Sequence, residues 1–104
     1  MASTLKRKIV WSERALREIA GIYEFIAYDS ERNAAAFTVK LVAAINNLAD
    51  NPGIGRMVPE IGDLLLREKF FRNYRIVYKI FTKEIKIVSI AHCSKLLHVS
   101  FNDL

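Results

Sequence analysis

The sequence predicts a small α+β domain in which a short first strand is followed by a two-helix hairpin packed on a mainly antiparallel four-stranded sheet, in chain order β-α-α-β-β-β. Three observations carry this. Residues 74–81 (Tyr-Arg-Ile-Val-Tyr-Lys-Ile-Phe) and 84–92 (Glu-Ile-Lys-Ile-Val-Ser-Ile-Ala-His) are alternating runs rich in β-branched and aromatic residues, separated by Thr82 and Lys83 alone. Such a pair reads as an antiparallel hairpin with one buried face. Two single-faced apolar stripes of helical period lie between residues 12 and 50, and the largest surface available to receive them is the sheet made by the second half of the chain.

Taken in order, Lys8-Ile9-Val10-Trp11 reads as a short strand bounded by a basic tail and by Ser12. Ser12 is a good N-cap and Glu13 suits the positive end of a helix dipole. Apolar positions recur at Leu16, Ile19, Ala20, Tyr23, Ile26 and Ala27, which places a helix up to about Tyr28. Asp29-Ser30 breaks it and caps a second helix, whose stripe is Ala34, Phe37, Leu41, Ala44, Ile45 and Leu48, ending near Asp50. Proline and glycines in Asn51-Pro52-Gly53-Ile54-Gly55-Arg56 stop the helix and begin a loop that runs to Gly62. Residues 64–71 read as a strand, and Arg72-Asn73 turns into the hairpin. Neither Thr82 nor Lys83 favours the positive φ of the tightest turns, so a four-residue loop through Phe81 and Glu84 is expected there. The long connection after the first strand allows it to lie parallel to a later neighbour. Residues 93–101 carry no single periodicity.

One domain with one core accounts for 104 residues, a length that buries about 65% of the surface of the unfolded chain. Hydrophobic content of 52% with 26% charged residues excludes a disordered chain. No apolar run reaches the roughly 20 residues of a membrane span, and the basic opening residues lead into no apolar segment, which points to a cytoplasmic protein without membrane attachment. Cys93, the single cysteine, has no disulfide partner and no neighbouring zinc ligands, so neither a metal nor another cofactor is expected. The net charge of +5 is unevenly spread. Residues 12–50 carry four basic side chains against six acidic ones, whereas residues 67–95 carry eight (Arg67, Lys69, Arg72, Arg75, Lys79, Lys83, Lys86, Lys95) against Glu68 and Glu84. Such a sheet half either recruits a polyanion or acidic protein or is simply a solvated outer face.

Val10-Trp11-Ser12 before the first helix, Asn51-Pro52 with Gly55-Arg56 after the second, Leu66-Arg67-Glu68, Tyr74-Arg75-Ile76-Val77-Tyr78 and His92-Cys93-Ser94-Lys95 follow one another in an order and spacing that resemble the RelE/ParE superfamily of toxins from toxin–antitoxin modules, the plasmid stabilisation proteins, over roughly residues 8–97. The resemblance implies a partner antitoxin, encoded nearby, with an acidic or amphipathic C-terminal region that wraps the toxin. It also implies one of two targets. RelE-like members cut ribosome-bound mRNA; ParE-like members inhibit DNA gyrase. The RelE-like pattern has two lysines seven and nine residues before the arginine of the Tyr-Arg pair, a second arginine at the end of the last strand and a tyrosine six residues later. Here only Arg75 matches. The lysine positions fall on Glu68 and Leu66, with Lys69 in range after a one-residue gap, while Lys95 and Phe101 stand for the arginine and tyrosine. Lysine lacks the bidentate fork that grips phosphate, and phenylalanine exchanges no proton. The Gly55-Arg56 loop and the His-x-x-basic ending resemble the ParE-like branch instead.

Metal-free RNA cleavage needs a base, a cation for the developing phosphate charge and an acid. Were the chain a nuclease, Arg75, His92 and Lys95 would supply them; the opposing reading pairs Arg75 with an acidic neighbour and has His92 close a strand by hydrogen-bonding a loop carbonyl. Arg67, Lys69, Arg72, Arg75 and Lys95 are the expected target-binding residues, although Arg67 also suits an ion pair across the sheet. Tyr74 and Tyr78 read as core, His98 and Cys93 as structural. Leu96, Leu97, Val99 and Phe101 make the tail too apolar for a free end and are the expected antitoxin contacts. The leading expectation is a ParE-like gyrase inhibitor; an mRNA interferase and a degenerate toxin that only binds its antitoxin and co-regulates their promoter are the alternatives.

Overall fold

Ser12 fixes how the two halves of the molecule meet. In the computed structural model, which describes residues 6–104, its hydroxyl accepts the Ala15 N–H at 3.0 Å, capping helix α1 (Glu13–Ala27), and donates to the Val88 carbonyl at 2.9 Å. Ser30 caps α2 (Glu31–Asn47) in the same way through the Asn33 N–H at 3.1 Å. Before α1 lies β1 (Lys8–Trp11), and after α2 come a 3₁₀ turn (Pro52–Ile54), β2 (Arg56–Met57), β3 (Leu66–Phe71), β4 (Tyr74–Ile80), β5 (Glu84–His92) and a last 3₁₀ turn (Phe101–Asp103). The strands form one five-stranded sheet in the order β1-β5-β4-β3-β2. The β1 strand runs parallel to β5, with Lys8 opposite Glu84 and Trp11 opposite Ile87, and the other pairs are antiparallel. Among the described residues no helix is long and apolar enough to cross a membrane.

The predicted architecture holds with one strand more than expected. Arg56–Met57 pairs with Arg67 and Glu68 of β3, although two residues give no alternating pattern to read. Its approach depends on Gly55, whose N–H donates to the Tyr78 hydroxyl at 2.9 Å. That hydroxyl in turn donates to the Pro52 carbonyl at 2.7 Å, which anchors the loop after α2 to the middle of the sheet. Leu64 and Leu65 are not part of β3; the Leu65 N–H bonds the Asp63 carboxylate at 2.8 Å and the Leu66 N–H the Asp63 carbonyl at 3.0 Å, a local turn that leaves both leucines exposed. The β4–β5 loop closes as expected, with the Phe81 N–H on the Glu84 carbonyl at 2.8 Å. Val88 forms a bulge, since Val77 faces Ser89 and Tyr78 faces Ile87.

Alternation gives the sheet two unlike faces. Ile76, Tyr78, Ile85, Ile87 and Ile90 meet Ala15, Ile22, Leu41, Ile45 and Leu48 of the helical layer. Helix α1 is turned by one residue from its expected stripe: Ala15 and Ile22 are buried, while Leu16 and Tyr23 lie exposed. Apolar residues occupy so much of its circumference that period alone does not choose the inward line, and the Ser12 bond to Val88 does. The outer face is not left open to solvent. Val77, Val88 and Leu66 are roofed by Val58 and by Leu97, with Val99 and Leu104 packed alongside.

The tight passage at Gly55 yields a test. A Cβ there would stand 2.5 Å from both the Glu68 carbonyl oxygen and the Tyr78 hydroxyl. Gly55→Ala is expected to destabilise the fold by about 1–3 kcal/mol through overpacking, readable as a lower urea midpoint.

Candidate functional site

The expected basic centre at Arg75 is an internal ion-pair cluster. Arg75 lies on β4 facing away from the helices, with its side chain only 7% exposed. Its Nε donates to Glu68 Oε1 at 2.7 Å, and its Nη1 and Nη2 form a fork on the two oxygens of Glu60, each at 2.8 Å. Glu68, fully buried on β3, takes Arg56 Nε on its other oxygen at 2.7 Å. Glu60 also accepts the Leu97 N–H at 3.0 Å, and Arg75 Nη1 reaches the Lys95 carbonyl at 3.4 Å. Two arginines and two glutamates thus join β2, β3, β4, the 58–62 loop and the C-terminal tail. The Arg75 fork and then the Leu97 amide hold the Glu60 carboxyl down at about 2, and the Glu60 hydrogen bond raises Arg75 above its ordinary value.

Arg75 is therefore not an open cation, either for phosphate or for a target: every nitrogen of its guanidinium is engaged by a carboxylate. Of the two sequence readings, pairing with acidic neighbours is the arrangement found. Glu68 and Glu60 were not foreseen as its partners. Glu68 is directly opposite Val77 and so shares the outer face with Arg75, a neighbourhood that only the β3–β4 register reveals; Glu60, in a loop, gave no signal.

His92 ends β5 opposite Tyr74. Its Nδ1 accepts the Ser94 N–H at 3.1 Å and its carbonyl accepts the Lys95 N–H at 3.1 Å, so it closes a turn through amide donors rather than through a loop carbonyl. Its ring meets Tyr74 edge-on at 5.4 Å, and Tyr74 meets Phe37 at 5.8 Å. Beside them a cleft of about 640 Å³ runs between α1 and the end of the hairpin, walled by Phe25, Tyr74, His92, Lys95 and Leu96. Phe25 is 77% and Leu96 88% exposed. Lys95 and Leu96 also wall a smaller hollow of about 270 Å³ over Arg75 and Cys93. Among the expected catalytic residues, then, the structure brings His92 and Lys95 to one cleft and locks Arg75 behind it.

The expected target-binding residues divide between the two faces. Arg67 and Lys69 oppose Tyr78 and Ile76 and so lie on the helix side of the edge of the sheet; Arg67 spends its guanidinium on the Gly55 and Leu64 carbonyls at 2.9 and 3.0 Å. Arg72, exposed at the β3–β4 turn with a φ of 54°, stacks over Phe37 and Phe71. Lys95, in the turn after β5, borders both the cleft beside α1 and the hollow over Arg75. Of the tail residues expected to contact an antitoxin, Leu96 is open, Leu97 is buried in the outer core, Val99 is half-buried beside it, and the side chain of Phe101 lies outside the described residues. Burial of Leu97 corrects that expectation: it already has a partner within the chain. Among the described residues no group of three or more His, Cys, Asp and Glu side chains stands together as a metal site would.

A family described as the ParE toxin of the type II toxin–antitoxin system, parDE, matches residues 9–97. The chain belongs to the ParE toxin family. Its fold is also that of a solved structure, the chromosomal ParDE TA system from P. aeruginosa, with a TM-score of 0.70 at 17% identity, covering 84% of this chain and 96% of that one. No curated protein matches. The matched span of this ParE-family chain stops at Leu97, the tail residue whose amide Glu60 holds.

Two outcomes follow for the cluster. Arg75→Ala leaves the buried Glu68 carboxylate short of a partner and is expected to cost about 3–5 kcal/mol, so its loss of activity would accompany a lower melting temperature. The folded Glu60 value of about 2 lies below the ordinary 4.5, so its contribution is complete above the higher figure and is lost as pH falls toward the lower one. Glu60→Gln is expected to flatten the fall in stability across that interval, measured by denaturant unfolding at a series of pH values.

Proposed function

We propose that this ParE-family chain is the toxin of a type II toxin–antitoxin pair, that it arrests growth by binding DNA gyrase in the cytoplasm, and that it does so without cutting RNA. Family membership over residues 9–97 supports the gyrase target. The observation that weighs most against RNA cleavage is the closed state of Arg75: its fork is occupied by Glu60 and its Nε by Glu68. A phosphoryl-transfer centre needs preorganised donors aimed at the charge that develops, and the arginine expected to provide them is spent on the fold. The cognate antitoxin is then a chain from a neighbouring gene whose acidic and apolar side chains fit the cleft beside Lys95, where exposed Phe25 and Leu96 await cover.

Purified gyrase and ribosome-bound mRNA provide the decisive pair of assays. Added chain is expected to block supercoiling, with the block lifted by the antitoxin, and to leave the mRNA intact. Cleaved mRNA with normal supercoiling would reassign it as an interferase. A chain that stops neither gyrase nor growth would be an antitoxin-binding co-regulator.

A further inference from the structure

Three lysines cross the outer face of the sheet at the end remote from the cleft. Ile9, Trp11, Ile80, Ile85 and Ile87 turn toward the helices, so alternation puts Lys8, Lys79 and Lys86 on the other side. Lys79 and Lys86 are direct cross-strand partners, and Lys86 is in turn opposite Val10 on β1, two positions along from Lys8, which is opposite Glu84 on the same face. Lys83 projects from the loop that joins the same two strands. Among the described residues none of these four has a carboxylate within ion-pair distance, whereas Arg56, Arg75, Arg14 and Lys6 each do. Glu84 is the one acidic residue in residues 79–86. Like charges placed directly opposite each other weaken a strand pair, so the fold gains nothing from setting Lys79 against Lys86. A polyanion does.

We propose that Lys8, Lys79, Lys83 and Lys86 form a site for the phosphodiester backbone of double-stranded DNA, separate from the cleft beside Lys95 and independent of whether gyrase is the target. Lys8, Lys86 and Lys79 sit on three adjacent strands about 5 Å apart; Lys8 and Lys83 are exposed, Lys79 and Lys86 half-buried with Lys86 beside the tail at Asp103, and all four present ammonium groups as point charges. A protein segment gains affinity chiefly by seating apolar anchors in pockets; a lysine row supplies instead the sequence-blind contact that duplex phosphates reward through counterion release. Phe81 stands beside the row, with Lys79 Nζ 5.5 Å from its ring, and a single ring among four lysines makes no platform on which successive unpaired bases could stack. The site therefore contacts backbone and reads no sequence.

Fluorescence anisotropy with a labelled duplex of arbitrary sequence tests this on the purified chain. With four phosphate contacts, affinity is expected to fall about 100-fold between about 50 and 200 mM salt, and the fall to shrink to about 10-fold in Lys79→Gln/Lys86→Gln. Lys40→Gln, on the exposed side of α2, is expected to bind as the parent does. The melting temperature of the double variant is expected to equal or exceed the parent's, since a repulsive pair is removed. The proposal is overturned if the parent chain does not bind the duplex, if the double variant keeps the parent's salt slope, or if poly-glutamate binds as tightly as DNA. A lowered melting temperature would assign the lysines to the fold and overturn it equally.

Discussion

The loop and tail that cover the outer side of the sheet are tied to the guanidinium of Arg75. Through Glu68 it reaches β3 and Arg56 of β2; through Glu60 it reaches the loop after β2; through the Lys95 carbonyl and the Leu97 amide held by Glu60 it reaches the tail. The cluster is electrically neutral, with two arginines and two glutamates, and each carboxylate oxygen of Glu68 has a nitrogen at 2.7 Å. Burying such charges is costly, and their mutual attraction offsets that cost only while every partner is in place. What it secures is position: the segment from Val58 to Glu60 and the segment from Lys95 to Leu97 have little regular backbone pairing to hold them, yet both close over Val77 and Val88.

The basic excess of the sheet half is thereby sorted into distinct uses. Arg56 and Arg75 are consumed by carboxylates, Arg67 by backbone carbonyls and Arg72 by aromatic faces. Among the described residues the cations of this half left for another molecule are Lys69 on the helix side of β3, Lys95 beside the cleft at one end and the lysine row at the other. A charge count over residues 67–95 treats these groups alike, whereas their settings differ as much as those of core and surface residues do. Arginine, with its flat multidentate donor set, went to the internal roles; lysine, a mobile point charge, stayed outside.

Much of the architecture was legible because it rests on strong local signals. Ser12 and Ser30 each precede a helical stripe, and the alternation of residues 74–92 specifies a hairpin whose closing bond is where the sequence puts it. The parallel seat of β1 was open to reading from the length of the connection alone. What escaped depends on contacts distant in sequence. Two residues of β2 have no period, and they become a strand only because Gly55 lets the backbone approach Tyr78. Leu64 and Leu65 look like strand residues until Asp63 captures the amides that follow it. The fate of Arg75 turned on a register and a loop carboxylate, so residue type gave two readings and geometry left one. Leu97 belongs to the core for the same reason: its apolar side chain signals burial without saying whether the cover comes from within the chain or from outside.

The position of β1 bears on when the molecule comes into being during synthesis. Among the described residues its one ladder partner is β5, so the first strand of the sheet to be made must wait for the fifth. Arg14, at the start of α1, likewise completes its ion pair with Asp103, the penultimate residue. A nascent chain ending before residue 84 lacks β5, the strand that joins β1 to β4 and lies against α1, and its first strand has an unfilled edge. The first strand therefore takes its place in the sheet only after residues 84–92 have been made. A message interrupted before that point yields a fragment whose first strand has no ladder to join and whose hairpin is half made.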